Sequence, residues 1–376
     1  MDFELTEEQK MFQKLARDFA EREIEPIADD IEREGKILPS PEGMAQKMAK
    51  VGLLGIIIPE KYGGLEQGFL SLVLATEQIH YPCTAVTWLL AGQGLAELIV
   101  HNGTEEQKKE CVPPIVEGKV IPSGAFTEPA TGSDPRLLTT TAVLEGGSWV
   151  LNGTKRFTTW GHLDGFGVFY CKTDGTGLSG MIVPKHVPGY TCSKPWGLLG
   201  VRGLETVDVF LRDVRVPEKN LFGQRGKAVS VLMEMVGAGR LEIAIRSVSC
   251  GQRALDEAIK YAKERTTFHG PIANMQGHRW LLAEMASRVE AARWLTYRAA
   301  WLRERRKEGH MASMAKLFAG QAGEWVASQS LQIHGAYGYT TDYKIERIFR
   351  AAKQSEIAEG VNEVQRSAIG AALVRD

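Results

Sequence analysis

The sequence lacks most of the features that mark specialised structural classes. Its longest strongly apolar stretch, residues 51–58, is far shorter than the ~20 residues that span a bilayer. Its five cysteines are widely spaced and form no C-x-x-C pair, so a disulfide framework is not expected. Lys and Arg number 45 and Asp and Glu number 46, so a net charge of −1 gives no reason to expect nucleic acid or a membrane as a partner. Because residues 1–10 also show no secretory signal, we expect a cytoplasmic protein.

Several short motifs of nucleotide-binding and hydrolytic enzymes are missing as well. No G-x-x-x-x-G-K-[ST] or G-x-S-x-G sequence occurs, and the eight histidines lack the spacing of metal ligands. Residues 175–180 match G-x-G-x-x-G, but an apolar run ending at Pro184 follows them. A dinucleotide site of this kind needs a helix N-terminus after the glycines. We therefore predict a hairpin turn at 175–180 and no bound metal.

The pattern of apolar residues divides the chain into three blocks. Residues 1–120 show helical periodicity, and residues 121–230 show short alternating runs between glycine turns. Helical periodicity returns over 231–376 and includes a seam typical of a helix bundle, formed by Val289, Ala292, Leu295, Ala299 and Leu302. The order of helices, strands and helices predicts an α+β fold with three domains at these boundaries.

Turn signals in the middle block indicate an antiparallel β domain. Glu145-Gly146-Gly147 separates two β-like runs and predicts a hairpin, and Pro188-Gly189 is interpreted in the same way. Val207, Val209 and Leu211 recur at every second position, which is typical of a β-strand.

Two segments of this block combine glycine, hydroxyl and aromatic residues. Residues 124–134 leave a β-like run at Pro129 and offer hydroxyl and backbone N–H groups that suit a planar heterocycle or a phosphate, although a plain turn would look the same. Residues 153–159 place Phe157 and Thr159 on one face of a predicted strand. Such a face suits a flat ring but also occurs in an ordinary sheet.

A third segment, residues 357–366, contains a candidate general base. Glu359 lies among small and apolar residues, immediately before Gly360. Loss of hydration in such surroundings raises the pKa of a carboxyl group, as a general base requires. The alternative is a glutamate that favours the start of a helix through the helix dipole. The residues alone leave both interpretations open.

Taken together, these segments resemble the acyl-CoA dehydrogenase family of flavoenzymes over essentially the whole chain. Residues 126–134 (FTEPATGSD) are similar to the family's T-E-P-x-A-G-S-D signature, with Thr131 where alanine is usual. Residues 213–217 (DVRVP) resemble the strand that closes its β domain, and residues 265–268 (RTTF) and 332–339 (QIHGAYGY) resemble its C-terminal signatures. The resemblance implies an N-terminal all-helical domain, a middle antiparallel β domain and a C-terminal four-helix bundle, assembled as a homotetramer.

The resemblance also implies FAD as cofactor, bound between the β domain and the C-terminal bundle. The positions that match FAD contacts, some of them supplied by a neighbouring subunit, are Phe126, Thr127, Ser133, Phe157, Thr159, Arg265, Thr267, Phe268, Gln276, Gln332, Gly335, Ala336, Val361 and Glu363. Arg240 and Ser133 match positions that bind the acyl-CoA substrate. An arginine suits this role because its planar, permanently charged guanidinium matches phosphate.

The implied reaction is α,β-dehydrogenation of an acyl thioester. A base removes the α-proton while the β-hydrogen leaves as a hydride to flavin N5, and an electron-transfer flavoprotein reoxidises the flavin. Glu359 matches the family's base. Some members place the base on an earlier helix, just before the arginine matched by Arg240, but this chain has Gly239 there. Glu359 is therefore the candidate.

Departures from the family pattern keep other functions open. His269, Ala351 and Val361 stand where a glycine, an aspartate and a hydroxyl are common near the cofactor, and Ala358 replaces an aromatic residue before the base. The same scaffold could serve as an enoyl-CoA reductase, a dehydrogenase of carrier-protein thioesters, or a non-redox thioester-binding protein. Retention of Glu359 together with the arginine at 240 argues against a nitroalkane or amine substrate.

Overall fold

The computed structural model describes residues 4–173, 175, 177–268, 270–307 and 309–374. His269 lies outside these ranges, as do Thr176 of the predicted turn at 175–180 and Asp174 just before it. The α-helices are α1 (Glu7–Phe19), α2 (Ala28–Glu34), α3 (Pro41–Lys50), α4 (Phe69–His80), α5 (Gly92–Asn102), α6 (Glu105–Val116), α7 (Ala228–Glu264), α8 (Gln276–Glu304), α9 (Met311–His334), α10 (Ile345–Ala352) and α11 (Asn362–Leu373). The strands are β1 (Ser123–Ala125), β2 (Thr141–Glu145), β3 (Ser148–Thr159), β4 (Phe166–Thr173), β5 (Leu178–Pro184), β6 (Tyr190–Cys192), β7 (Thr206–Pro217), β8 (Leu221–Phe222), β9 (Thr266–Thr267) and β10 (Gly270–Pro271). This order confirms the predicted α+β fold.

Helix α4 forms the centre of the N-terminal helical part. Every one of its residues is buried, because its sequence FLSLVLATEQIH is apolar on nearly all sides. It packs against α1, α7 and α8. Its first turn is capped from a distance, since the backbone N–H of Leu70 donates to Oε1 of Glu304 on α8 at 2.8 Å. No helix in the described ranges is both long enough and apolar enough to cross a membrane.

The middle part is one sheet with the strand order β6-β7-β3-β2-β4-β5-β8, and β1 is added beside β4. The predicted hairpin at 145–147 is confirmed: β2 pairs with β3 through Gly146 and Gly147, whose φ angles are +56° and +78°. The hairpin predicted at Pro188-Gly189 is wrong, because the chain there crosses to the far edge of the sheet, where β6 pairs with β7. The sheet is also not purely antiparallel, since β4 runs parallel to β1 and β2.

The C-terminal part is built on the long helix α7. This helix packs along α9 and α8, and the predicted seam on α8 is buried at Val289, Ala292 and Ala299. The N-terminal turns of α7 instead contact the sheet. There the hydroxyl of Tyr170 on β4 lies 3.9 Å from Sδ of Met235. Helix α7 thus joins the sheet to the helical C-terminal part.

Candidate active site

Glu359 lies in a loop between α10 and α11 that the protein holds in an unusual backbone conformation. The φ angle of Glu359 is +53° and that of Gly360 is +89°. The left-handed region costs a non-glycine residue ~1–2 kcal/mol, so other contacts must hold the loop in place. Buried Lys316 on α9 donates from Nζ to the carbonyl oxygens of Glu356 (3.1 Å) and Gly360 (2.8 Å). Nε2 of Gln365 donates to the carbonyls of Glu359 (3.1 Å) and Gly360 (2.8 Å).

The carboxylate of Glu359 lies directly against Gly239 on α7. A Cβ atom built at position 239 would lie only 2.6 Å from Cδ and 2.7 Å from Oε2 of Glu359. A side chain at 239 would therefore occupy the place of the carboxylate. The two positions that the family resemblance offered for the base converge on one point, and here Glu359 fills it.

Burial and nearby charges shift the acidity of this carboxyl group. The pKa of Glu359 is raised to about 7, first by burial and then by the neighbouring carboxylate of Glu242. The cations Arg246, Arg240 and Lys316 act in the opposite direction. Both protonation states of Glu359 are therefore populated near neutral pH, as suits a general base.

Arg240 is only partly used by the protein itself. Its Nη1 donates to Oγ of Ser313 on α9 at 3.1 Å, while its buried Nε has no hydrogen-bond partner among the described residues. The guanidinium thus keeps at least one hydrogen-bond donor for an anion near Glu359.

The segment 126–134 is held in shape by buried Glu128. Its carboxylate accepts hydrogen bonds from the backbone N–H groups of Thr139 (2.6 Å) and Thr140 (3.0 Å), and from Nζ of Lys155 (2.8 Å). Burial alone would raise the pKa of Glu128, but the lysine and these hydrogen bonds hold it at about 2. The carboxylate is therefore a fixed structural anion.

The structure brings the segments 126–134 and 153–159 side by side. The backbone N–H of Arg156 donates to the carbonyl of Thr127 at 2.7 Å. Strand β3 has a register shift between Lys155 and Thr158, and Phe157 within it has a φ of +54°. The ring of Phe157 is 53% exposed. Thr127 and Thr159 are half-buried, and Ser133 is exposed.

Trp196 completes an aromatic surface that the sequence did not indicate. Its ring centroid is 5.6 Å from that of Phe157, and its Nε1 donates to Asp208 at 3.0 Å. It is 43% exposed, so two partly exposed aromatic rings lie next to each other here, and the guanidinium of Arg156 lies over the ring of Trp196 at 5.3 Å. Trp196 lies in a stretch without periodicity, which explains why no pattern singled it out.

The C-terminal candidate residues form a separate, exposed group. All of them lie at the surface: Arg265, Thr267, Phe268, Gln276, Gln332, Gly335 and Ala336. The guanidinium carbon of Arg265 lies 5.8 Å from the ring centroid of Tyr337, which brings the end of α7 next to the end of α9. Phe268 is 99% exposed. No hydrogen bond or ring contact in the described ranges joins this group to 126–134 or 153–159.

Helix α7 links Glu359 to the segment 126–134. Sδ of Met235 lies 3.7 Å from where a Cβ at Gly124 would stand, and Phe126 packs in the same apolar cluster. Met235 and Gly239 are four residues apart and so lie on one face of the helix. The carboxylate of Glu359 is therefore about one helical turn from the apolar cluster that contains Phe126 and Met235.

Two positions that depart from the family pattern, Thr131 and Ala351, have structural roles. Thr131 is buried and donates from Oγ1 to the carbonyl of Asp134 at 2.8 Å. Ala351 is buried in the helical core. Val361 is half-buried at the start of α11, and Glu363 is exposed and forms an ion pair with Arg366 at 3.0 Å.

Two charged residues near the carboxylate of Glu359 were missed. Glu242 and Arg246 follow Gly239 at three and seven residues on α7, and both are only 3% exposed. Charged residues at helical spacing within an otherwise apolar run were the signal that could have found them.

Comparison with known proteins finds relatives along the whole chain. Family models described as the N-terminal, middle and C-terminal domains of acyl-CoA dehydrogenase match residues 6–119, 123–214 and 226–374. The acryloyl-CoA reductase (NADH) of Anaerotignum propionicum is 38% identical over 383 residues, which cover 100% of this chain and 96% of the relative. The CarC subunit of a caffeyl-CoA reductase–Etf complex of Acetobacterium woodii is 39% identical, covering 98% of this chain and 99% of the relative. The solved structure of butyryl-CoA dehydrogenase from Megasphaera elsdenii matches with a TM-score of 0.96 and 33% identity, covering 100% of both chains.

Proposed function

The chain belongs to the acyl-CoA dehydrogenase family, and on that premise we propose that it catalyses the FAD-dependent α,β-dehydrogenation of an acyl-CoA thioester. One observation carries the proposal: the carboxylate of Glu359 is held against Gly239 with a pKa of about 7. A carboxyl group in this state can take a weakly acidic proton at neutral pH.

The residues present fit FAD. The exposed rings of Phe157 and Trp196 offer an apolar surface for a flat heterocycle, and Thr127, Ser133 and Thr159 offer hydroxyls beside it. Phe126 would line the same heterocycle. When bound, FAD would supply the acceptor for the hydride that leaves the β-carbon.

The chain's own groups supply the proton transfer. A carboxylate oxygen of Glu359 would accept the α-proton, whose acidity rises when the thioester carbonyl accepts fixed hydrogen bonds. Arg240 and Lys316 both favour the ionised form of this carboxyl group. The guanidinium of Arg240 would also donate hydrogen bonds to a phosphate of the CoA moiety, and the hydroxyl of Ser133 would contact the same substrate.

A homotetramer is part of the proposal. The exposed group of Arg265, Thr267, Phe268, Gln276, Gln332, Gly335 and Ala336 would then complete the FAD site of a neighbouring subunit. Full exposure of an apolar ring such as Phe268 supports burial against another chain. Light scattering of the purified protein should give about four times the chain mass of 41.4 kDa. A monomer that retains FAD would contradict this assembly.

An electron-transfer flavoprotein is the proposed electron acceptor. The similarity to a subunit of an Etf complex supports this partner. Carrier-protein thioesters are the alternative to CoA esters as substrates. The cytoplasmic location stays a prediction from the sequence.

The decisive experiment mixes FAD-replete protein with a panel of acyl-CoA thioesters without oxygen. Loss of the visible flavin absorbance is expected with at least one thioester, because two electrons leave the acyl chain. If no member of the panel reduces the flavin, the proposed function is wrong. A purified protein that binds no flavin would favour the non-redox alternative.

Reduction of an enoyl-CoA is the second candidate function. Two relatives are named as reductases of acryloyl-CoA and caffeyl-CoA, and the same residues would serve in reverse, with protonated Glu359 returning the α-proton. The protein with chemically reduced flavin, mixed with a matched enoyl-CoA, should then be reoxidised. Comparing this rate with that of flavin reduction by the saturated ester indicates the favoured direction.

The rate of flavin reduction should depend on pH through Glu359. Because the pKa is raised to about 7, the base is largely protonated at pH 6 and largely ionised at pH 8. The rate constant should therefore rise about tenfold per pH unit below pH 7 and level off above it. Stopped-flow measurements from pH 5.5 to 9 test this. A profile that is flat down to pH 5.5 would contradict the raised pKa of Glu359.

Replacing Lys316 by methionine should slow the reaction by at least ~10-fold while FAD stays bound. The change removes the hydrogen bonds that hold the carbonyls of Glu356 and Gly360, each worth ~1.5–3 kcal/mol when charge-assisted. The matched control is Lys353→Met, because Lys353 is exposed and pairs with Glu356 nearby. Equal rates for the two variants would show that the buried lysine does not position the base.

A further inference from the structure

The face of α7 that contacts the base continues as a polar surface. Gly239, Glu242 and Arg246 are spaced by three and four residues and so lie along one side of the helix. Glu359 contacts this side at Gly239. Beyond the base, a chain that follows this side of α7 meets a carboxylate and a guanidinium, both 3% exposed, instead of hydrocarbon.

The ion pair on this face leaves buried donors unused. Nη2 of Arg246 donates to Oε2 of Glu242 at 2.8 Å, with a longer contact of 3.5 Å to the carbonyl of Thr87. The guanidinium carbon lies 4.2 Å from the ring centroid of Trp88. Nε of Arg246 and Nε1 of Trp88 are buried and have no hydrogen-bond partner among the described residues.

Two neighbouring N–H donors without partners indicate that a hydrogen-bond acceptor is missing here. A buried donor without a partner costs ~1–3 kcal/mol, and native proteins rarely keep one unless another molecule supplies the acceptor. A hydrocarbon chain placed here would leave both donors unsatisfied. A ligand atom with lone pairs would satisfy them, whereas an added donor would not.

There is also room beside this pair. Position 94 on α5 is a glycine, and a Cβ built there would lie 3.4 Å from Oε1 of Glu242, which is ordinary van der Waals distance. The glycine therefore leaves the carboxylate without a side chain against it on that side.

Building on the proposed function, we propose that Glu242, Arg246 and Trp88 form a subsite for the far end of the acyl group. It selects short acyl thioesters that end in an oxygen acceptor, a hydroxyl or a carboxylate, over plain alkyl chains. Arg246 and Trp88 donate to that oxygen, and Glu242 fixes the guanidinium in place.

The test measures kcat/KM of the FAD-bound enzyme with butyryl-CoA, hexanoyl-CoA, 4-hydroxybutyryl-CoA and glutaryl-CoA. We expect an oxygen-ended ester to exceed butyryl-CoA by at least ~10-fold, since a site built to hydrogen-bond a substrate discriminates strongly against analogues that lack the partner. Comparing the hydroxyl with the carboxylate distinguishes the two sources of the oxygen. A preference for butyryl- or hexanoyl-CoA would overturn the proposal.

Variants make the assignment specific to these residues. Arg246→Met alone leaves Glu242 unpaired and can prevent folding, so the main variant is Glu242→Leu/Arg246→Met, which removes both charges together. It should reverse the preference toward butyryl-CoA. The control is Glu77→Leu/Arg293→Met, which likewise removes both charges of a part-buried ion pair, joined at 2.9 Å.

Each outcome has a distinct meaning. The double variant is compared with the wild type by the ratio of kcat/KM for the preferred oxygen-ended ester to kcat/KM for butyryl-CoA. If this ratio is unchanged, the ion pair is only structural and the subsite proposal is wrong. The same holds if Glu77→Leu/Arg293→Met changes the ratio equally. If no thioester reduces the flavin of the wild-type protein, the proposed function itself fails, and the subsite with it.

Discussion

Glutamine at position 359 is expected to slow flavin reduction by an acyl-CoA ester by ~10³-fold or more, while FAD stays bound. The amide keeps the size of the side chain but cannot accept the α-proton, and general-base catalysis contributes ~10²–10⁴-fold. Because the contacts of the loop are made by main-chain carbonyls, the Glu359→Gln substitution should leave the backbone at Gly360 in place. Stopped-flow spectroscopy of the flavin measures the rate, and the ratio of flavin to protein absorbance measures cofactor content.

The matched control for this variant is Glu284→Gln. Glu284 is an exposed carboxylate on α8 that pairs with Arg288 at 2.8 Å, so its loss should leave the rate unchanged. Near-normal turnover of Glu359→Gln would mean that another group takes the proton. Loss of FAD together with activity would instead point to a structural role for the side chain.

Moving the carboxylate from one chain segment to the other should restore much of the lost activity. Glu359→Gly removes the base at a position whose φ of +53° glycine adopts freely, and it should be as inactive as the glutamine variant. Adding Gly239→Glu projects a carboxylate into the vacated space, because a Cβ at 239 points at the former carboxyl carbon from 2.6 Å. We expect a recovery of at least ~10²-fold over Glu359→Gly, within the range that a positioned base supplies.

The single variant Gly239→Glu is the control for this rescue. With Glu359 still present, the two carboxylates would compete for one place, so this variant should lose activity rather than gain it. If Glu359→Gly and the double variant Glu359→Gly/Gly239→Glu are equally inactive, a carboxylate at position 239 does not reach the substrate proton. The measurements are the same flavin-reduction rates, with thermal unfolding as a check on the fold.

The sequence predicted the parts of this molecule that depend on local pattern. The hairpin at Gly146-Gly147, the strand with Val207 and Val209, and the long C-terminal helices follow from periodicity and turn chemistry, and they are present. The Pro188-Gly189 turn shows the limit of such signals. A turn residue indicates a change of direction but not which strand the chain pairs with next, and here it leads across the sheet.

The candidate site was predictable only in part for a similar reason. The small and apolar neighbours of Glu359 suggested a raised pKa, and the structure gives a physical basis for it. The contact between Gly239 and Glu359 joins residues 120 positions apart, and no local pattern can encode it. The bulge that exposes Phe157 depends in the same way on pairing with β7, which lies about 50 residues later. The ion pair of Glu242 and Arg246 gave a weak signal that is easily taken for a solvated helix face.

The raised pKa of Glu359 also affects the stability of the folded protein. In the unfolded chain the carboxyl group of Glu359 would titrate near its ordinary value of 4.5, while in the folded protein it titrates near 7. The native state therefore binds this proton more tightly, and the contribution of the group to the free energy of unfolding falls as pH rises from about 4.5 to about 7. Above that range the penalty is full, on the order of 3 kcal/mol. The pH values at which Glu359 is ionised, as the proposed reaction requires, are thus those at which this group lowers the free energy of unfolding most. We therefore expect thermal stability to be lower in the pH range of activity than it would be without the raised pKa.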